Sequence, residues 1–179
     1  MTRLLPLLAL LAPPALAQTA PDITGRWVSA AAEAAGPVTG MRDFTFDGDR
    51  WSVRFSAFAD AGTTQPLFVL DVAGAYVVGG PSAAVPGAWD ANFPILSTTV
   101  TAASPAGVDM FAGMGCTLSE GEPKALIAEG CGFLPPVMDA MGEFDLVALK
   151  DGQLFLGDRS GDLTKARPTA LIAYPLVRK

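Results

Sequence analysis

Hydrophobic and polar residues alternate along much of this chain, and the period is two. Residues 41–47 set Phe44 and Phe46 on one face against Asp43, Thr45 and Asp47 on the other. Residues 50–57 set Trp51, Val53, Phe55 and Ala57 against Arg50, Ser52, Arg54 and Ser56. Successive side chains of a strand point to opposite faces, so each segment reads as a half-buried strand. Asp47-Gly48-Asp49 between them is a hairpin turn signal. Trp27 to Ser29 is a short first strand. Leu67–Val72 and Ala75–Val78, joined at Ala73-Gly74, are apolar on both faces apart from Asp71. Such strands are buried on both faces, or have a core on one side and a greasy cavity or partner on the other.

Residues 79–87 are loop by composition. Asn92–Thr101 is a strand whose Pro94 predicts an edge or a bulge. Ser104 and Pro105 ahead of Ala106–Met114 have the order of an N-cap and first position of a short helix. Residues 137–141 are a candidate single helical turn. Glu143–Lys150 and Gln153–Gly157 are strands joined by Asp151-Gly152, a strong two-residue hairpin signal. Residues 158–166 are polar loop, and Thr169–Val177 reads as the closing strand. The total is about eight or nine strands, mostly in hairpins, with one or two short helices, a pattern that curls into an antiparallel barrel or half-barrel. A barrel of about eight strands is filled by its own side chains or holds one small ligand.

The first seventeen residues stand apart from this pattern. Arg3, the apolar run Leu4 to Ala12 and the Ala15-Leu16-Ala17 cleavage site have the form of a secretory signal peptide. A single domain over 18–179 is therefore expected, exported to the periplasm or secreted. No later stretch is long and apolar enough for a transmembrane helix. The formal charge is −6, and removing Arg3 makes it one unit more negative. An acidic surface is repelled by nucleic acid and by anionic membranes, so neither is an expected partner. Cys116 and Cys131 are the two cysteines. In an oxidising compartment they are expected to pair, closing a loop of about 15 residues.

Candidate chemistry is sparse. The chain has no histidine, which excludes Ser-His-Asp and Cys-His arrangements and His-ligated metals. No cofactor or metal is expected. Gly157-Asp158-Arg159-Ser160-Gly161 places its serine one position late for a nucleophile elbow. Asp139, Glu143 and Asp145 are the carboxylates that a hydrolase would use, and Glu143 and Asp145 also fit a solvated strand face. Asp47 and Asp49 lack the flanking oxygen ligands of a calcium loop. Trp27 and Trp51 sit in strands as core or ligand contacts, and Trp89 follows a Pro-Gly loop where a barrel mouth would expose it. The candidate ligand-lining residues are Trp27, Trp51, Phe55, Phe68, Tyr76, Trp89 and Phe93.

Five blocks, taken in order, carry a resemblance. They are Gly25-Arg26-Trp27-Val28-Ser29; Arg42-Asp43-Phe44-Thr45-Phe46; Pro66-Leu67-Phe68-Val69-Leu70 with Gly74; Val85-Pro86-Gly87 leading to Phe93; and Leu154-Phe155-Leu156-Gly157-Asp158 with Arg167-Pro168-Thr169. Gly-x-Trp opening a first strand is found in lipocalin-like (calycin-type) barrels. Together the blocks resemble the adenomatosis polyposis coli down-regulated domain family. The resemblance implies a secreted β-barrel-like domain without enzymatic activity. Animal members carry two such domains and a membrane anchor at the cell surface, and inhibit Wnt signalling by engaging a lipidated ligand.

This chain departs from that pattern. One such domain and no C-terminal anchor are expected, Ala32 and Thr64 stand where animal members place cysteines, and the signal peptide and alanine-rich composition resemble those of bacterial proteins. Asp158 and Arg167 lie in the family-like blocks and read as a structural pair closing the barrel end. The leading expectation is a barrel that binds a hydrophobic small molecule or acyl chain. The rivals are an envelope protein-interaction module with a solid core and, behind it, a carboxylate-based hydrolase.

Overall fold

The computed structural model describes residues 19–138 and 142–179. The signal segment, Asp139 and residues 139–141 of the proposed helical turn lie outside the described residues. Among those described, eleven strands and one helix follow in chain order: β1 (Gly25–Ser29), β2 (Glu33–Ala35), β3 (Val38–Asp47), β4 (Arg50–Phe58), β5 (Pro66–Ala75), β6 (Val77–Pro81), β7 (Trp89–Ala102), α1 (Pro105–Gly113), β8 (Pro123–Ala125), β9 (Gly142–Lys150), β10 (Gln153–Leu156) and β11 (Leu176–Arg178). All strand pairings are antiparallel. The order β1-β11-β10-β9-β7-β5-β4-β3, closed by a further β1–β3 pairing, makes a ring of eight strands. Closure removes the open sheet edges that otherwise invite aggregation.

Turn chemistry sets the registers. Asp47 pairs with Arg50 across the first hairpin, so Gly48-Asp49 is a two-residue turn and not a cation loop. Lys150 pairs with Gln153 across the last hairpin. Its two turn residues, Asp151 and Gly152, have φ of 52° and 75°, the left-handed values a type I′ turn requires.

Two sequence expectations change. Ala73-Gly74 is not a turn, because β5 runs straight through it. The register against β7 shifts there instead, Ala73 facing Ser97 and Gly74 facing Ile95. Gly74 is needed because a Cβ at that position would lie 1.8 Å from the Pro94 carbonyl oxygen. The bulge follows from Pro94, which has no N–H to donate. The segment beyond Gly74 becomes β6, which pairs with β7 and not with β5. The second change is at the C-terminus, where only Leu176–Arg178 is a strand. Pro168 and Pro175 break the ladder, and the segment between them touches the barrel through the Gly157–Leu171 bridge and the Arg42 bond to the Tyr174 oxygen.

Helix α1 forms as its N-terminal signal predicts. The Ser104 hydroxyl accepts from the Gly107 N–H at 3.2 Å and donates to the Pro66 oxygen at 2.6 Å, so the cap also ties α1 to the start of β5. The helix covers a second core that continues the inward faces of β4, β5 and β7, where Phe111 packs among Phe68, Leu118, Leu126 and the disulfide. Cys116 and Cys131 are bonded, their Cα atoms 5.1 Å apart. Cys131→Ser is expected to lower stability by about 3 kcal/mol, the loop entropy restored to the unfolded chain. Urea unfolding under non-reducing conditions checks this, and a midpoint equal to wild type would refute it.

The barrel interior holds the first core. Trp27, Phe44, Phe46, Trp51 and Phe93 are all buried there with Leu154, Leu156 and Leu176. Edge-to-face and stacked contacts link Trp51 to Phe93 at 5.2 Å, Phe46 to Tyr76 at 5.1 Å and Phe44 to Phe46 at 5.7 Å. This aromatic block fills only part of the ring.

Candidate functional site: an interior cavity with a charged mouth

The unfilled part is a cavity of about 640 Å³. Phe44 from β3, Trp51, Val53 and Phe55 from β4, and Leu70 and Val72 from β5 form one wall. Phe93 and Ile95 from β7, Leu156 from β10, and Ile172 complete the apolar surface. Trp51 and Phe93 belong both to this lining and to the aromatic block, so they mark where packed interior gives way to hollow.

The period-two rule explains this lining. Phe44, Phe46, Trp51, Val53 and Phe55 all occupy inward positions of one hairpin. Arg42 shares the parity of Phe44 and Phe46, so its side chain also faces inward. It is 6 % exposed. Nε donates to Glu33 Oε1 at 2.6 Å, and Nη2 donates to the Tyr174 oxygen at 2.8 Å. Ser29 Oγ donates to the same Glu33 oxygen at 3.1 Å and accepts from the Arg42 backbone N–H at 2.7 Å. Nη1 has no hydrogen-bond partner among the described residues.

A second charged group lies at the mouth. Arg159 Nη2 donates to Glu143, and Nη1 donates to Asp145 Oδ2 at 3.3 Å. Asp145 is 1 % exposed. Its other oxygen accepts the Leu146 and Gly157 N–H groups, each at 2.7 Å. Burial pushes the Asp145 carboxyl above the usual carboxylate range, against the opposing pull of Arg159 and the two N–H donors. For Arg159, burial disfavours the charge, but Glu143 and Asp145 outweigh it and raise the guanidinium pKa. Asp158 is held below its usual range by the Ser160 hydroxyl and N–H.

These bonds define what the site can do. Glu33, Glu143, Asp145 and Asp158 each already accept from a guanidinium, hydroxyl or backbone N–H. Ser160 Oγ donates to Asp158, with no histidine in the chain to activate it. Among the described residues, no three Asp, Glu, Cys or His side chains gather as metal ligands. The arrangement suits binding an apolar body with a polar end. A shallower depression on the outer face is crossed by the exposed Arg26–Asp43 and Arg54–Asp71 pairs, which contribute little individually.

Of the residues singled out by sequence, Trp51, Phe55 and Phe93 line the cavity. Trp27 lies beneath it in the core, its Nε1 donating to the Ile23 oxygen at 2.7 Å and Arg178 stacked over its ring at 4.4 Å. Tyr76 packs within the aromatic block, and Trp89 packs half-buried against the same core. Phe68 belongs to the second core, edge-on to Phe111 at 5.3 Å. Asp158 and Arg167 do not pair. Arg167 binds Asp90 at 3.3 Å and the oxygens of Ala91 and Asp145, because β7 and β9 bring those groups closer. Glu33 and Arg42 were not singled out as a site. The available signal was an arginine in register with two inward phenylalanines.

Fold and cavity together define a closed antiparallel β-barrel with an apolar interior. The family model for "Adenomatosis polyposis coli down-regulated 1" matches residues 12–116. That is more than half of the chain, and the protein belongs to this family. No match is found among curated proteins. The matched segment covers the chain through β7 and α1 to Cys116, while β9, β10 and β11 complete the ring beyond it.

Proposed function

We propose that this protein is an exported, non-enzymatic barrel, periplasmic or secreted, that takes a hydrophobic small molecule or acyl chain into its interior. The observation that carries the reading is the cavity of about 640 Å³ walled by inward-facing aromatic and aliphatic side chains. Its size falls within the roughly 300–1,000 Å³ of small-molecule sites. The disulfide supports an oxidising compartment. No helix among the described residues is long and apolar enough to cross a membrane.

Native mass spectrometry and lipid extraction of the purified protein test the reading. The expected result is a co-purified apolar molecule, or a rise in Tm when medium-chain lipids are added. Absence of both would overturn it.

A second reading, a surface for an envelope protein, is favoured by one observation. Ile127, Phe133 and Met138 near the disulfide are each at least 60 % exposed. Crosslinking in the cell envelope through this patch would support that reading.

A further inference from the structure

One side chain that lines the cavity has incomplete bonding. Arg42 is 94 % buried, and it lines the cavity. Two of its three nitrogens are engaged, by Glu33 and the Tyr174 oxygen; Nη1 has no partner among the described residues and is itself buried, so a ligand oxygen reaches it once the guanidinium turns toward the cavity. A guanidinium always carries its protons, so an unengaged Nη1 is a donor awaiting an acceptor. Buried polar groups are normally satisfied, so this exception on a cavity-lining side chain calls for an acceptor, which a ligand oxygen would supply.

The charges around it restrict that oxygen. Glu33, Glu143, Asp145 and Asp158 border the cavity, against Arg42 and Arg159. Both guanidiniums are already paired with carboxylates. Even with Asp145 protonated, acidic groups outnumber basic ones here. A free carboxylate entering this site would be desolvated beside an excess of like charge. A neutral acceptor would engage Nη1 without that repulsion. Building on the cavity reading above, we propose that Arg42 is the polar anchor of the cavity, and that the occupant is an apolar molecule bearing a neutral acceptor oxygen, as in an ester, amide or ketone.

The test uses three probes with one common chain: decane, decanoate and methyl decanoate. Binding to the lipid-stripped protein is read from tryptophan fluorescence and from the Tm shift. Methyl decanoate is expected to bind about tenfold or more tighter than either of the others, the contribution of one charge-assisted hydrogen bond. In Glu33→Gln/Arg42→Met, which removes both partners of the buried pair, ester and alkane are expected to bind alike. Arg42→Lys, which keeps the charge but lacks Nη1, should also lose the preference. Arg54→Ala, on the outer face, should retain it.

Equal binding of ester and alkane to wild type, tightest binding of decanoate, or a preference retained in both Arg42 variants would each overturn the anchor while leaving the cavity reading intact. If none of the three probes binds, the cavity reading itself falls and takes the anchor with it.

Discussion

Glu33→Ala is expected to destabilise the protein by about 3 kcal/mol, near the lower end of the range for breaking one side of a buried ion pair. Glu33 and Arg42 are 4 % and 6 % exposed. Removing the carboxylate leaves a buried guanidinium bound only to the Tyr174 oxygen and deprives Ser29 of its acceptor. The loss does not reach the top of the range because Arg42 borders a cavity that water can enter. The loop that carries Tyr174 depends on the same guanidinium, so part of the cost should appear as loosening of residues 169–175. Replacing both partners, in Glu33→Gln/Arg42→Met, should cost much less, since neither charge is then left unpaired. Urea midpoints of the two variants provide the comparison. A double variant less stable than Glu33→Ala would show that the pair itself, and not the orphaned charge, stabilises the fold.

Gly74→Ala should cost at least about 3 kcal/mol, at the upper end of overpacking effects, because the obstacle is backbone and not a flexible side chain. The added Cβ would sit 1.8 Å from the Pro94 oxygen and 3.1 Å from Trp51 Nε1. That oxygen also receives the long Trp51 hydrogen bond, at 3.4 Å. To accommodate a methyl group, β7 must move away from β5 at the point where its pairing passes from β9 to β5. Trp51 and Phe93 form the boundary of the cavity at this place. A fall in Tm of about 6–12 °C is therefore expected, together with a change in the tryptophan emission. A Tm within a degree or so of wild type would show that the two strands do not approach so closely.

Several features were readable from local chemistry. The β3–β4 and β9–β10 hairpins follow from period-two alternation and their Gly-Asp and Asp-Gly turns. The α1 cap follows from Ser104-Pro105. The disulfide was expected from two cysteines behind a signal segment. For the hairpins and the cap, neighbouring residues carry all the information, because turn dihedrals and strand parity are local properties. The Ala73-Gly74 segment misled because a glycine that permits a turn and one that permits close approach look the same in sequence. Only the Pro94 oxygen, twenty residues away, distinguishes them. Thr169–Val177 misled for the opposite reason. Its apolar residues are real and residues 170–172 bond to residues 156–158, but Pro168 and Pro175 keep the pairing from extending into a longer strand.

The candidate site divides along the same line. Alternation by itself determined which aromatic residues of β4 face inward, and Trp51 and Phe55 were found that way. The sequence also settled the β-rich class of the fold, its main turns and the absence of any histidine chemistry. Whether the enclosed space is packed or hollow was decided only by the tertiary structure, because it depends on how eight strands stagger around a ring and which side chains meet across it. Glu33 and Arg42 stand nine residues apart and became a site only when β1, β2, β3 and the Tyr174 loop converged. A burial-dependent pair has no signature in a linear chain, since the same two residues on a solvated face would be an ordinary surface ion pair.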